Sequence, residues 1–308
     1  MSFMNKKKYI FFDIDGTLRA GTHDRSYVPA STRLALEKLR EAGHFLCIAT
    51  GRSQAMAYSY MEELGFDNMV SDGGYGITID KELLGIKPLN REDVIDLIME
   101  CESKGMPWGI QTDNSTVRLT PDSRFEEFTR DRYMKSRVVA GLDPSDYPVI
   151  YKAYIACYEP EEYGLESLRR LPWCRYDKEY IFVEPTDKAH GIRQILDHFG
   201  AEVSDVIVFG DAHNDLSMFC EEWTNVAMGN AVPELKAKAD LITDDVDKDG
   251  IFNTVGIYKP FSFLLEDTDN ETIAELLIVD DENVFVSDEL LKGLDKELNE
   301  FLADLMKD

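Results

Sequence analysis

Tyr9-Ile10-Phe11-Phe12-Asp13-Ile14-Asp15-Gly16-Thr17 (YIFFDIDGT) is the stretch that decides the fold. Tyr9 to Phe12 form a continuous apolar run of strand formers, the pattern of a strand buried on both faces of a parallel sheet. Asp13 then falls at the strand's carboxyl end, which is where ligands gather in an open α/β sheet. Asp13 and Asp15 stand at i and i+2 and project to one side if the extended geometry persists. Gly16 permits a sharp turn directly after them. Two carboxylates this close repel each other unless a cation or a shared proton lies between them. Read alone, the stretch is also compatible with a simple acidic turn after a strand.

The pattern around it repeats. A helix opening at Pro29 and Ser31 and closing at Gly43 carries Leu34, Leu36 and Leu39. Phe45 to Ala49 reads as a second apolar strand, ends in Thr50-Gly51-Arg52-Ser53, and is followed by a helix to Gly65. A third strand near Asn68 to Ser71 leads into a glycine-rich turn at Gly73, Gly74 and Gly76. This β-α-β-α-β order predicts an α/β fold with a doubly wound parallel sheet.

From residue 84 the order changes. The sequence predicts a helix capped by Asn90 and running through Lys104, strands at 107–112 and 115–119, and a helix from Asp122 to about Met134. A strand at 149–157, a helix at 161–170 and strands at 173–177 and 180–184 follow. Paired strands alternating with helices predict an inserted, mainly antiparallel α+β domain over residues 84–185. The first pattern then resumes with a helix from Lys188 to Phe199 and a strand at 205–209 ending in Gly210-Asp211. A helix capped by Asn214 and Asp215 and short strands at 225–228 and 240–243 complete it. The core is therefore expected to be split between residues 1–83 and 186–258. Residues 259–308 form a strongly acidic extension without low complexity. Its apolar residues Leu290, Leu291, Leu294, Leu298, Phe301, Leu302 and Leu305 recur at helical spacing within an expected helix from Asp288 to Leu305. That spacing predicts an extension that packs on the core or mediates a homodimer.

Composition excludes several classes. In 308 residues, 33 lysines and arginines stand against 59 acids, a net charge of -26. Such a field repels nucleic acid and anionic membranes. No apolar run reaches the length of a membrane span. The basic N-terminus leads straight into a core strand and does not read as a signal peptide. Five scattered cysteines without a CxxC pair predict reduced thiols in a cytoplasmic protein.

Asp13 and Asp15, then Thr50, then Asp211 with Asn214 and Asp215 each follow a buried strand. In a parallel sheet those strand ends share one edge, so the three clusters converge. Any one of them alone has the look of ordinary capping; three at matching positions do not. The donors are oxygens, with His213 the one neighbouring imidazole. Hard oxygen ligands favour Mg²⁺, which often binds a substrate phosphate as well. A carboxylate beside Mg²⁺ can attack phosphorus and form an aspartyl phosphate. Thr50 and the amide of Gly51, expected at a helix N-terminus, suit a phosphoryl group. Lys188 is positioned to enter from the side.

These residues carry a family resemblance. DIDGT at Asp13 to Thr17, ATGR at Ala49 to Arg52, DKAHGI at Asp187 to Ile192, and GDAHND at Gly210 to Asp215 with AMGNA at Ala227 to Ala231 resemble the ordered motifs of the haloacid dehalogenase superfamily. The large insertion resembles the cap of its Cof-type phosphatases. The resemblance implies a Rossmann-like core, Asp13 as nucleophile and Asp15 as general acid/base. Thr50 and Lys188 would hold the phosphoryl group. Mg²⁺ would be held by Asp13, the backbone carbonyl of Asp15, and Asp211, while Asn214 and Asp215 complete the site or orient Lys188. Many relatives carry Asn-Gly where this chain has Asp72-Gly73. The segment before the lysine looks short, and the extension after about Tyr258 falls outside the family pattern.

The expected activity is Mg²⁺-dependent hydrolysis of small phosphorylated metabolites, with sugar phosphates the favoured class. A phosphomutase of the phosphomannomutase type is the alternative enzyme, and a non-catalytic sugar-phosphate sensor the alternative binding module. The inserted domain is expected to select the substrate. Trp108 and Arg118 are polar-capable residues in its early strands, with Trp108 more simply read as core.

Overall fold

The structure is a computed structural model that describes residues 6–21, 25–131 and 134–257, and the backbone of 261–267, 272–280 and 283–286. In chain order the first elements are β1 (Tyr9–Phe12), α1 (Ala30–Glu41), β2 (Phe45–Ala49), α2 (Gln54–Leu64), β3 (Asn68–Ser71), β4 (Gly76–Ile79) and β5 (Glu82–Ile86). There follow α3 (Arg91–Ser103), β6 (Trp108–Gln111), β7 (Val117–Thr120), α4 (Arg124–Thr129), β8 (Lys135–Val138), β9 (Lys152–Ala156), β10 (Trp173–Asp177) and β11 (Tyr180–Val183). The chain returns with α5 (Lys188–Phe199), β12 (Val206–Gly210), β13 (Thr224–Ala227), α6 (Pro233–Lys236), β14 (Leu241–Ile242) and α7 (Gly250–Ile257). Three further strands, β15 (Phe261–Asp267), β16 (Thr272–Asp280) and β17 (Asn283–Val286), form a separate antiparallel sheet.

The larger sheet has eight strands in the order β14-β13-β12-β1-β2-β3-β4-β5. It is parallel from β14 to β3, and the β4 and β5 pairings are antiparallel. β1 lies at its centre, paired to β2 on one side and β12 on the other. Alternate residues of β1 feed opposite layers. Ile10 and Phe12 pack with Leu36, Ala57, Met61 and Val255 of α1, α2 and α7. Tyr9 and Phe11 pack with Ile192, Ile195 and Leu235 of α5 and α6. Burial of each such side chain contributes about 1.5–3 kcal/mol, which fixes the strand and with it the position of Asp13. The sheet runs past the boundary expected at residue 83, because β5 pairs with β4 up to Ile86.

The smaller sheet has six strands in the order β10-β11-β9-β6-β7-β8, antiparallel except for β7 with β8. Its outer face is covered by α3, which Asn90 caps by accepting hydrogen bonds from the amides of Glu92 and Asp93. Three expected helices are shorter than their patterns suggest. The helix expected from Asp122 ends at Thr129, where Arg130 turns into the left-handed region, and the chain continues as β8. The helix expected over 161–170 is two 3₁₀ turns, broken where Leu165 goes extended after Gly164. The segment after Asp211 is a six-residue 3₁₀ helix over His213–Met218. The helix expected from Asp288 to Leu305 lies outside the described residues. All five cysteines are free. Among the described residues, no helix is long and apolar enough to cross a membrane.

Candidate active site

The motif residues meet at the carboxyl edge of the larger sheet. The amide of Asp13 donates to the Phe209 carbonyl (3.0 Å), carrying the β1–β12 ladder one residue further. Asp13 and Asp211, which follow β1 and β12, thereby become neighbours. The amide of Thr50 donates to the Val70 carbonyl in the same way, at 2.9 Å. Lys188 is the first residue of α5. Asp187 caps that helix by accepting from the His190 amide.

Lys188 Nζ lies 2.7 Å from Asp13 Oδ1 and 2.5 Å from Asp215 Oδ1, and all three side chains are buried. The other oxygen of Asp215 accepts from the amides of Asp211 (2.8 Å) and Ala212 (2.9 Å). Asp215 therefore holds both the lysine and the turn that presents Asp211. Asp211 Oδ1 accepts from the Thr17 hydroxyl at 3.0 Å. Gly16 makes this approach feasible: it sits at φ +88°, and a Cβ there would lie 2.1 Å from Asp211 Oδ2.

Asp13, Asp211 and Asp215 each offer an oxygen within 4.8 Å of the others. Burial, with the neighbouring carboxylates adding to it, raises Asp13 to about 7 against the opposing pull of Lys188. Burial, then Asp13 and Asp215, raises Asp211 to about 8. Burial works against a charged Lys188, but Asp13 and Asp215 outweigh it and hold the ammonium above the ordinary lysine value. Three acids facing one lysine leave an excess of buried negative charge. A hard divalent cation relieves that excess, and an all-oxygen donor set suits Mg²⁺.

The remaining expected residues are placed as follows. The Asp15 side chain stands apart from the acid cluster; it is gripped by Arg52, whose Nε and Nη2 lie 2.7 and 2.8 Å from its two oxygens. It is 54% exposed. Any part of Asp15 in holding a cation thus falls to its backbone. Thr50 is buried, and its hydroxyl oxygen accepts from the Arg52 amide. Thr50 and Gly51, expected at a helix N-terminus, stand before the N-cap residue Ser53 of α2. That helix opens at Gln54, and its first amides are taken by Asp72 Oδ2 and Asn114 Oδ1. Asp72 is thus a helix-capping acid. Asn214 lines the cleft beside Gly51, while His213 is exposed and faces Glu234.

These groups open onto a cleft of about 1430 Å³ whose other wall is the inner face of the smaller sheet. From that side come Asp131, Cys174, Tyr176 and Phe182. Tyr176 stacks on Phe182 with ring centroids 4.4 Å apart and planes 8° from parallel. Sequence reasoning missed these residues, although Tyr176, Tyr180 and Phe182 alternate along the β10–β11 hairpin, a signal that they share one face. It also quoted Arg52 without giving it a role. Trp108 is buried core. Arg118 is fully buried as well, sits over Phe125, and holds Asp131 at 2.5 Å. It reaches the cleft only through that acid.

A doubly wound sheet with an inserted second sheet, three clustered acids, two of them buried, and a buried lysine at the strand ends defines a phosphoryl-transfer hydrolase. The chain belongs to the haloacid dehalogenase-like hydrolases, whose family model matches residues 10–255. YkrA of Bacillus subtilis is 30% identical over 258 residues, covering 79% of this chain and 95% of that protein. The pyridoxal phosphate phosphatase YbhA of Escherichia coli is 28% identical over 269 residues, covering 79% and 96%. Among solved structures, the subclass IIB sugar phosphatase BT4131 superposes with a TM-score of 0.66 at 27% identity, covering 81% of this chain and 98% of that one. The chain is a phosphatase of this superfamily.

Proposed function

We propose that the protein is a Mg²⁺-dependent phosphomonoesterase of small phosphorylated metabolites, sugar phosphates foremost, working through an aspartyl phosphate on Asp13. The observation that carries this reading is the meeting of buried Asp13, Asp215 and Lys188 with half-buried Asp211 at the floor of a large cleft. Asp13, Asp211, Asp215 and the backbone carbonyl of Asp15 would hold the cation, which supplies charge for the phosphoryl oxygens and keeps the acids ionised. Asp13 attacks phosphorus from the end of β1. Lys188, anchored by Asp215, neutralises the phosphoryl charge from the side. The Thr50 hydroxyl, the Gly51 amide and Asn214 orient the remaining oxygens. Asp15 gives a proton to the departing alkoxide and then takes one from the water that opens the acyl phosphate. The inserted segment between β5 and α5 roofs the cleft and meets the leaving group; the larger-sheet unit on either side of it carries the chemistry.

The test is release of inorganic phosphate from a panel of phosphate esters, with Mg²⁺ and with excess EDTA. Activity should require the metal, and Asp13→Asn should abolish turnover of every ester because an amide is a poor nucleophile. Full hydrolysis in EDTA would remove the metal from the reading. Persistent turnover by Asp13→Asn would remove the aspartyl phosphate.

A further inference from the structure

The smaller sheet touches the larger one where the phosphoryl group is to be held. In the turn between β6 and β7, Asn114 Oδ1 accepts from the Ala55 amide (3.0 Å) and Asn114 Nδ2 donates to Gln54 Oε1 (2.8 Å). From β9, Lys152 Nζ donates to the Gly51 carbonyl at 2.9 Å and to Glu184 Oε2 at 2.5 Å. Asp72 Oδ1 faces the same ammonium at 4.0 Å. Lys152, Glu184 and Asp72 are all buried. An ammonium has three donors; two are taken and the third faces an acid.

Gly51 is where this backbone would otherwise be loosest, since glycine has no Cβ to restrict it. Each peptide is planar and trans, so fixing a carbonyl aims the N–H of the same unit the opposite way. The Thr50 carbonyl accepts from the Gly73 amide at 3.3 Å, which turns the Gly51 N–H away from Gly73. The Gly51 carbonyl is tied to Lys152, which directs the Arg52 N–H to the Thr50 hydroxyl oxygen, 3.1 Å away. Both peptide units of the Thr50–Arg52 segment are therefore held by their carbonyls. Among the described residues, none accepts from the Gly51 N–H, and Gly51 lines the cleft.

We propose that Lys152 is a positioning residue for phosphoryl binding: a side chain of the inserted sheet fixes the Gly51–Arg52 peptide and, with the Gly73 tie on the preceding unit, holds Gly51 on both sides so that its N–H keeps one direction. The inference rests on the phosphatase reading and extends it, making the inserted sheet a structural part of the phosphate site as well as its roof. Glu184 neutralises the lysine, and Asn114 ties down the next residues of the same segment.

Two variants test this. Lys152→Met removes the tie but strands Glu184; the paired Lys152→Met/Glu184→Gln removes both charges and preserves shape, so it keeps the test alive if the single variant fails to fold. The probes are inorganic phosphate, titrated calorimetrically in Mg²⁺, and Mg²⁺ alone, followed by thermal shift. A lost charge-assisted hydrogen bond predicts phosphate binding about 10-fold weaker in both variants, with Mg²⁺ affinity unchanged. Wild-type phosphate affinity in the paired variant would overturn the proposal. Parallel loss of phosphate and Mg²⁺ affinity would also overturn it, in favour of a general structural role. A wild-type protein that binds no phosphate and hydrolyses no ester would instead strike the phosphatase reading itself.

Discussion

The carboxyl edge of the larger sheet and the inner face of the smaller one share a cleft but are built in opposite ways. At the edge, Asp13, Asp215 and Lys188 are buried and every one is tied to a named partner. On the facing wall, Tyr176 is 40% exposed and its ring is held by stacking on Phe182. Bonded buried charges have one arrangement. A stacked, half-exposed ring accepts more than one neighbour at little cost. On the proposed function, the difference divides generality from choice: the edge would take the phosphoryl group common to all substrates, and the wall would meet the part that varies.

Asp15 stands between the two regions, and its substitution sharpens the comparison most. A sugar alkoxide is a strong base that leaves only with a proton, whereas p-nitrophenolate leaves without one. Asp15→Asn should slow phosphoryl transfer from a sugar phosphate by about 10²–10⁴-fold and from p-nitrophenyl phosphate far less. The aryl ester should then give a burst of one p-nitrophenolate per enzyme before slow turnover. Single-turnover rates with both esters are the measurement. Equal slowing would place Asp15 among the fixed groups of the edge, as the structural partner of Arg52.

The next effect isolates the edge alone. Asp13 and Asp211 are raised from the ordinary 3.8 to about 7 and about 8. Below 3.8 both folded and unfolded chains are protonated there. Above it the unfolded chain ionises first, so without metal these acids reduce stability progressively as pH rises toward 8. A bound cation removes that penalty. Saturating Mg²⁺ should raise Tm by roughly 5 °C at pH 8 and by much less at pH 5. Equal shifts at the two pH values would separate Mg²⁺ binding from these carboxylates.

The smallest effect tests the wall. Tyr176→Ala should change the ratio of kcat/KM between two esters with different leaving groups by about 3- to 10-fold, within the range for one lost apolar contact. Inorganic phosphate should bind as before. A uniform loss across esters would show that Tyr176 serves the phosphoryl site rather than selection.

The edge was legible in the sequence because its determinants are local. A continuous apolar run followed by Asp13, Thr50 or Asp211 declares both a strand and what lies at its end. Asn90 likewise announces α3 within three residues of chain. The wall was not legible. Alternation in β10 and β11 tells which residues share a face, but only the docking of the two sheets decides that Tyr176 and Phe182 meet the cleft. Lys152 could not be read either, because its contact with Gly51 joins positions 101 apart. The helix expected over 161–170 misled for a different reason: Leu165 and Leu168 are buried at helical spacing, yet the extended backbone at Leu165 divides the segment.

The place of β1 between β2 and β12 has a consequence for the birth of the molecule. β2 leaves the ribosome soon after β1, but β12 follows only after the whole smaller sheet. At about 5–20 residues per second, roughly 10–40 s separate Phe12 from Val206. During that interval one edge of the central strand is unpaired and open to other chains. Lys188, Asp211 and Asp215 are made late as well, so Asp13 spends the interval without its partners. On the proposed mechanism, the nascent chain gains activity toward phosphate esters only when its late strands close the sheet.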